Sequence, residues 1–204
     1  MVEWQWTAFA ALPVGVLYTV LAVRQAVFVV EQHCAYQDID GLDAWAWHLL
    51  GWQSDLVAAA GEKTLVAYAR VVFPGKKYAE PSLGRVLTTA SVRGHGVGKA
   101  LLREAMDRID TQYPDCAVRI AAQQYLERFY VAVGFHTVSA HYDEDGIMHV
   151  EMLCPPPGRL SRLYMFRRGW QQKRHDPARR WQHGAGVPGC CVAPSCHPLP
   201  ASPP

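Results

Sequence analysis

The segment Arg93-Gly94-His95-Gly96-Val97-Gly98-Lys99 combines the residue types that hold a phosphate. Alternating glycines let a backbone approach its ligand closely, and the first N–H groups of a following helix point outward without an internal partner. Arg93 and Lys99 add a cation at each end. The spacing excludes two common phosphate motifs. A P-loop needs a glycine five positions before Gly98 and a hydroxyl after the lysine, where this chain has Arg93 and Ala100. A dinucleotide fingerprint counted from Gly94 and Gly96 needs its third glycine where Lys99 stands. Upstream, Asp38-x-Asp40-Gly41-x-Asp43 offers turn and cap chemistry. It is not a calcium loop, because the glycine comes too early and position twelve is Leu49.

These groups need elements to position them. Leu83 to Thr89 reads as a strand entering the glycine loop, and Ala100 to Ile109 as a helix leaving it, with Leu101, Leu102, Ala105, Met106 and Ile109 on one face. Before them, Trp4 to Phe9 alternates as a strand, and a helix follows from about Leu12 to Val29. His48 to Trp52 and Leu65 to Val72 read as further strands. After them come a strand at Ala117 to Ala122, an amphipathic helix over Tyr125 to Val133 closed by Gly134, and a hairpin of Phe135 to Ala140 with Met148 to Cys154. The order β-α-β-β-β-α-β-α-β-β predicts an α/β protein of α+β type, a mixed sheet with helices packed on its faces.

The 204 residues allow one domain and an appendage. Residues 1–154 carry 12 Lys and Arg against 17 Asp and Glu, a net −5, whereas residues 155–204 carry 8 against 1, a net +7. Ten of fourteen prolines also fall in 155–204. We therefore expect a folded domain over 1–154 and a disordered basic Pro/Arg-rich tail over 155–204, within which Leu160 to Trp170 has the pattern of a short basic helix. Cys190-Cys191-x4-Cys196-His197 has metal-ligand types at a spacing that matches no standard finger, so no metal is expected. The start of the chain lacks a basic region before an apolar run, so no secretory signal is expected. Arg24, Gln25 and Glu31 interrupt the longest apolar stretches, so no membrane span is expected either. Scattered cysteines in the folded part suit a reducing cytoplasm.

Three separated segments together resemble one family. Arg-Gly-x-Gly-x-Gly between strand and helix is similar to the pyrophosphate loop of GNAT-superfamily acetyltransferases. Phe129-Tyr130-x-x-x-Gly134-Phe135 resembles their Phe-Tyr-x-x-x-Gly-Phe signature. Arg24-x-x-Val27-Phe28-Val29-Val30-Glu31-Gln32-x-Cys34-x-Tyr36-Gln37-Asp38-Ile39-Asp40-Gly41, followed by His48-Leu49-Leu50-Gly51, resembles the ElaA branch. The resemblance covers roughly residues 2–153. It implies the GNAT fold, a mixed, mostly antiparallel sheet splayed between its fourth and fifth strands with helices on both faces. It also implies acetyl-CoA as co-substrate and an amine as acceptor.

On that resemblance, Gly94, His95, Gly96, Val97, Gly98 and Lys99 with Arg93 would hold the pyrophosphate, and the pantetheine arm would pair with the edge of Val86-Leu87-Thr88. Tyr130 would be the proton donor to the departing thiolate, since a phenol near pKa ~10 can supply one. Glu31, Asp38, Asp40 and His48 are candidates for the base, and a chain of waters is an alternative to all of them. Gln123 is a candidate contact to CoA or acceptor, with a structural role equally open. Ala35, the Trp45-Ala46-Trp47 run and an apparent insertion at 53–63 depart from the family pattern on the acceptor side. The Arg24 and Asp38-x-Asp40-x-x-Asp43 pattern is also similar to acyl-homoserine-lactone synthases, which generally lack the glycine loop seen here. An interaction module using the basic tail is a third reading. We expect no membrane or nucleic-acid partner, and a homodimer stays open.

Overall fold

An eight-stranded sheet carries the protein, in the order β1-β2-β3-β4-β5-β8-β6 with β7 also paired to β8. The computed structural model describes residues 1–54 and 63–156. Its strands are β1 (Val2–Ala8), β2 (Ala46–Ser54), β3 (Lys63–Val72), β4 (Ser82–Thr88), β5 (Val118–Gln123), β6 (His136–Thr137), β7 (Tyr142–Glu144) and β8 (Ile147–Cys154). Every pairing is antiparallel except β4 with β5, which is parallel and meets only at Ser82↔Arg119. Beyond that point the two strands diverge, which is the expected splay.

Among the described residues three α-helices flank the sheet: α1 (Val14–Arg24), α2 (Val97–Gln112) and α3 (Glu127–Val131). The two sides of the sheet have separate cores. Alternation in β2 sends Leu50 toward Val20 and Val27 on the α1 side, with Leu65, Tyr68 and Leu87. Its neighbour Leu49 packs on the other side with Leu101, Leu102, Ala105 and Ile109 of α2. Each of these α2 residues is fully buried, and a buried Leu contributes about 1.5–3 kcal/mol relative to exposure.

Several expectations change. The helix from Leu12 begins only after Pro13 and does not stop at Val29; its last part, Gln25–Glu31, has π-helical geometry. Such widened turns are frequent at functional sites. The continuous helix Val14–Glu31 is long and apolar enough to cross a membrane by length and composition, against the expectation that three polar residues would interrupt it. In the fold that stretch packs on the sheet, with Val20, Arg24 and Val27 buried. The expected strand Phe135 to Ala140 shortens to β6 (His136–Thr137), since beyond it Glu151 N–H donates to Ser139 Oγ (2.9 Å) where a ladder carbonyl would otherwise serve, and a further short strand, β7, forms at Tyr142–Glu144. Residues 55–62 of the apparent insertion, the expected tail helix and the Cys190–His197 cluster lie outside the described residues.

The acidic segment does more than make turns. Asp40 Oδ1 does accept from Leu42 N–H (3.0 Å), but the three aspartates chiefly face three arginines. Arg24 is fully buried and reaches Asp38 Oδ2 (2.8 Å), Asp43 Oδ1 (2.6 Å) and the Asp38 carbonyl (2.9 Å). Arg70 reaches Asp40 (2.6 Å) and Asp43 (2.9 Å). Arg85 Nε lies 2.6 Å from Asp38 Oδ1, at an angle too poor for a hydrogen bond. The Arg85 backbone is left-handed (φ 51°) at a bulge in β4 opposite Tyr68–Arg70, so the network also anchors a strained turn in the strand that lines the site.

Burial pushes the Asp40 and Asp43 carboxyls up, but the facing guanidiniums outweigh it and hold both below the usual range. Both therefore bind protons more weakly folded than unfolded. Their stabilisation is complete above the unfolded value near ~3.9 and is lost as pH falls through the folded values. Burial likewise lowers His48, adding an earlier loss as pH drops below ~6.5. The urea midpoint is expected to be flat above about pH 7, to decline from about 6.5 and to steepen below about 4. A midpoint constant down to pH 4 would exclude the His48 contribution.

Candidate active site

The divergence of β4 from β5 opens a cleft of about 730 Å³. Val86, Leu87 and Thr88 of β4 form one wall and Ala121, Ala122 and Gln123 of β5 the other. Phe129 and Tyr130 of α3, Val27, Phe28 and Glu31 of the π turn, and Glu144, Asp145, Ile147 and His149 of the β7–β8 hairpin complete it. Because β4 bonds to β5 only at its start, its later edge faces the cleft, where an extended ligand with amides can pair with it.

The glycine loop stands where β4 hands over to α2. Gly94 (φ 79°) and Gly96 (φ 80°) are both left-handed, the conformation that anion-binding backbone nests draw on. Gly96 caps α2 in that conformation, and no side chain caps the helix, which leaves its first N–H groups to a ligand. Arg93 and Gly98 reach the cleft wall itself. Replacing Gly96 with alanine is expected to lower stability by about 1–2 kcal/mol through left-handed strain alone, since a Cβ there meets nothing. A thermal-denaturation series of the variant checks this, and no shift would mean that the loop relaxes freely.

Tyr130 is 6% exposed and lines the cleft, with edge contacts to Phe129 and Phe135 on its other sides. Burial pushes its phenol well above the ordinary tyrosine range, so it is held protonated.

Other expected site residues are less free than the sequence suggested. Glu31 forms a two-pronged ion pair with Arg93 (2.5 and 3.0 Å), which holds its carboxyl below the usual range and makes it a poor base. The same Arg93 donates to the Thr88 carbonyl (2.9 and 3.0 Å), so that carbonyl is already in use while Val86 and Leu87 remain along the edge. Gln123 Nε2 donates to Gln32 Oε1 (3.2 Å), tying β5 to the end of the π turn. His48 lies in the core rather than at the cleft. It is fully buried, Nε2 lies 3.0 Å from the Asp43 carbonyl and Nδ1 2.7 Å from the Tyr68 hydroxyl. A carbonyl only accepts, so Nε2 carries the proton and Nδ1 accepts from Tyr68; no lone pair is left for a substrate. Asp38 and Asp40 are committed to arginines.

Sequence reasoning missed Arg70, Arg85, Glu144, Asp145 and His149 as cleft residues. His149 enters because β8 pairs it with Gln123 across the sheet, a register that local pattern does not encode. Among the described residues no group of three or more His, Cys, Asp or Glu could hold a metal ion.

Comparison with known proteins decides the family. Residues 26–155 match the family model of the acetyltransferase (GNAT) domain. The chain belongs to the GNAT acetyltransferases. Within them it is 40% identical over 154 residues to protein ElaA of Escherichia coli, covering 74% of this chain and 95% of that one. A UPF0039 protein of Synechocystis is 42% identical over 159 residues, covering 77% and 99%. The crystal structure of E. coli ElaA superposes with a TM-score of 0.68 at 39% identity over 76% of this chain and 99% of that one. An acyl-CoA N-acyltransferase from Pseudomonas aeruginosa superposes with a TM-score of 0.69 at 34% identity over the same shares. As a GNAT protein the chain is an acyltransferase that draws on a CoA thioester. The site's chemistry suits that substrate: a helix start with no side-chain cap and a strand edge left unpaired face one cleft.

Proposed function

We propose that the protein is an N-acetyltransferase that moves an acetyl group from acetyl-CoA to a primary amine by direct attack, with both substrates bound, in a cytoplasmic setting. The observation that carries this is one cleft joining a diphosphate-type loop, an unpaired strand edge and a buried phenol. The loop from Arg93 to Lys99 takes the pyrophosphate, the Val86–Leu87 edge takes the pantetheine amides, and Tyr130 gives a proton to the departing sulfur. Burial makes the phenol a weaker acid and a thiolate at the same place a stronger base, so the two stay close in proton affinity. Small amines, peptide termini and protein lysines are all candidate acceptors.

Thiol release from acetyl-CoA across a set of amines, with calorimetric titration of acetyl-CoA, tests the reading. No thiol with any amine and no heat of binding would end it. Truncation after Pro156 should leave acetyl-CoA binding intact; its loss would favour a tail-driven binding module.

Glu31 supplies a further prediction. Its carboxylate holds the arginine that the donor's pyrophosphate needs, and both partners are nearly half exposed. Glu31→Gln is expected to tighten acetyl-CoA binding by about three- to five-fold, the size of an exposed ion pair. S-acetylpantetheine, which lacks the pyrophosphate, should gain nothing. Weaker binding of acetyl-CoA by the variant would assign Glu31 the opposite role.

A further inference from the structure

The geometry points to His149 as the general base of this acetyl transfer, an assignment that rests on the reading above. Of the carboxylate and imidazole side chains lining the cleft, three are not ion-paired to an arginine: Glu144, Asp145 and His149. Tyr36 already donates its hydroxyl to Asp38 (3.0 Å), and burial pushes its phenol upward, so it stays protonated. Asp145 sits at the tip of the hairpin turn with left-handed backbone (φ 55°), and the Glu144 side chain is 49% exposed. His149 is different. It stands within β8, its side chain is 14% exposed, and its ring stacks on Tyr142 at 6.1 Å.

The hydrogen bonding of the ring fixes its chemistry. Nδ1 lies 2.8 Å from the Ile147 carbonyl oxygen, which can only accept. The proton therefore sits on Nδ1, and Nε2 keeps a lone pair. This is the reverse of His48, whose two ring nitrogens are both engaged inside the core. Glu144 Oε2 lies 4.0 Å from Nδ1, on the side of the ring away from the free Nε2 lone pair. The register pairs His149 with Gln123, so the base rises from β8 beside the strand that forms one wall of the cleft. Tyr130 lines the same cleft from α3. Proton acceptor and proton donor thus come from different elements onto one cavity.

The protons balance. An ammonium acceptor first loses one proton to His149 Nε2, which passes it to solvent. The neutral amine then attacks the thioester carbon; the C–N bond forms and the C–S bond breaks with its electron pair on sulfur. Sulfur takes the Tyr130 proton, and the second proton shed by nitrogen restores the phenol through solvent. The products are the amide, the free thiol and one proton in solution.

The test uses the full chain and the most active amine among an alkyl monoamine, a polyamine, an amino-acid amide and a lysine peptide. His149→Gln is expected to lower the turnover of thiol release by about 10²-fold, the lower range for loss of a general base, while the acetyl-CoA dissociation constant stays within about two-fold. His149→Ala should regain part of the lost turnover when imidazole is added, which a structural role would not permit. Unchanged turnover in His149→Gln overturns the assignment and leaves the proton to water. Loss of turnover that tracks loss of acetyl-CoA affinity overturns it too, as does a His149→Ala variant that imidazole does not rescue. If the wild-type chain binds acetyl-CoA but releases no thiol with any of the four amines, both the base and the acetyl-transfer reading fall; if it binds and turns over while His149→Gln does the same, only the base falls.

Discussion

Replacing Arg24 with glutamine is expected to lower the unfolding free energy by about 3–5 kcal/mol, measured by urea denaturation at neutral pH. Arg24 is fully buried, and its guanidinium donates to two carboxylates and one carbonyl. Removing the charge leaves Asp38 and Asp43 buried with one cation fewer, in a place where water cannot substitute for it. The cost of an uncompensated buried carboxylate is what sets the magnitude, not the attraction within the pair. A second consequence distinguishes this account from simple loss of packing. With Arg24 gone, the Asp43 carboxyl loses one of the two guanidiniums that hold it down, so the variant's deficit relative to the wild type should narrow as the pH falls toward about 4. A variant within about 1 kcal/mol of the wild type would mean that the aspartates reach water and that the network contributes little.

Tyr130→Phe is expected to lower the turnover of thiol release about ten-fold or more, with little change in acetyl-CoA affinity. The substitution removes one hydroxyl and keeps the ring, so the edge contacts with Phe129 and Phe135 survive and the fold should not notice. Tyr130 lines the cleft, so its hydroxyl is placed to meet what enters there. Equal affinity with reduced turnover places the lost interaction in the transition state. An unchanged rate would remove Tyr130 from the mechanism and leave the thiolate to depart unaided.

How much of this was legible beforehand differs from residue to residue. The donor side was readable because its determinants are local. Gly94 and Gly96 are glycines because their backbone is left-handed, and the same few residues that form the turn also start the helix. Phe129 to Phe135 is one helix and its Gly134 end, again a short stretch (Gly134 φ 103°). The base was not readable for the opposite reason. His48 and His149 are equally isolated in the sequence, each on a strand with apolar neighbours. Only the register tells them apart: β2 is central, flanked by β1 and β3, and buries His48, while β8 lies beyond the splay and brings His149 to its rim. Glu31 and Arg93 are 62 residues apart, and nothing in either segment announces that they meet.

The sequence by itself therefore determined the family, the left-handed glycine turn ahead of α2 and the run of elements from β1 to α3, since each of these is written in contiguous residues with a fixed backbone requirement. The tertiary structure decided which charged groups are spent on stability and which remain for chemistry. Asp38 and Asp40 could have been a base, or with Asp43 a turn; packing against Arg24, Arg70 and Arg85 made all three the counter-ions of a buried network. The physical reason is that a charge acquires its role from its partner and its burial, and both depend on segments distant in the chain.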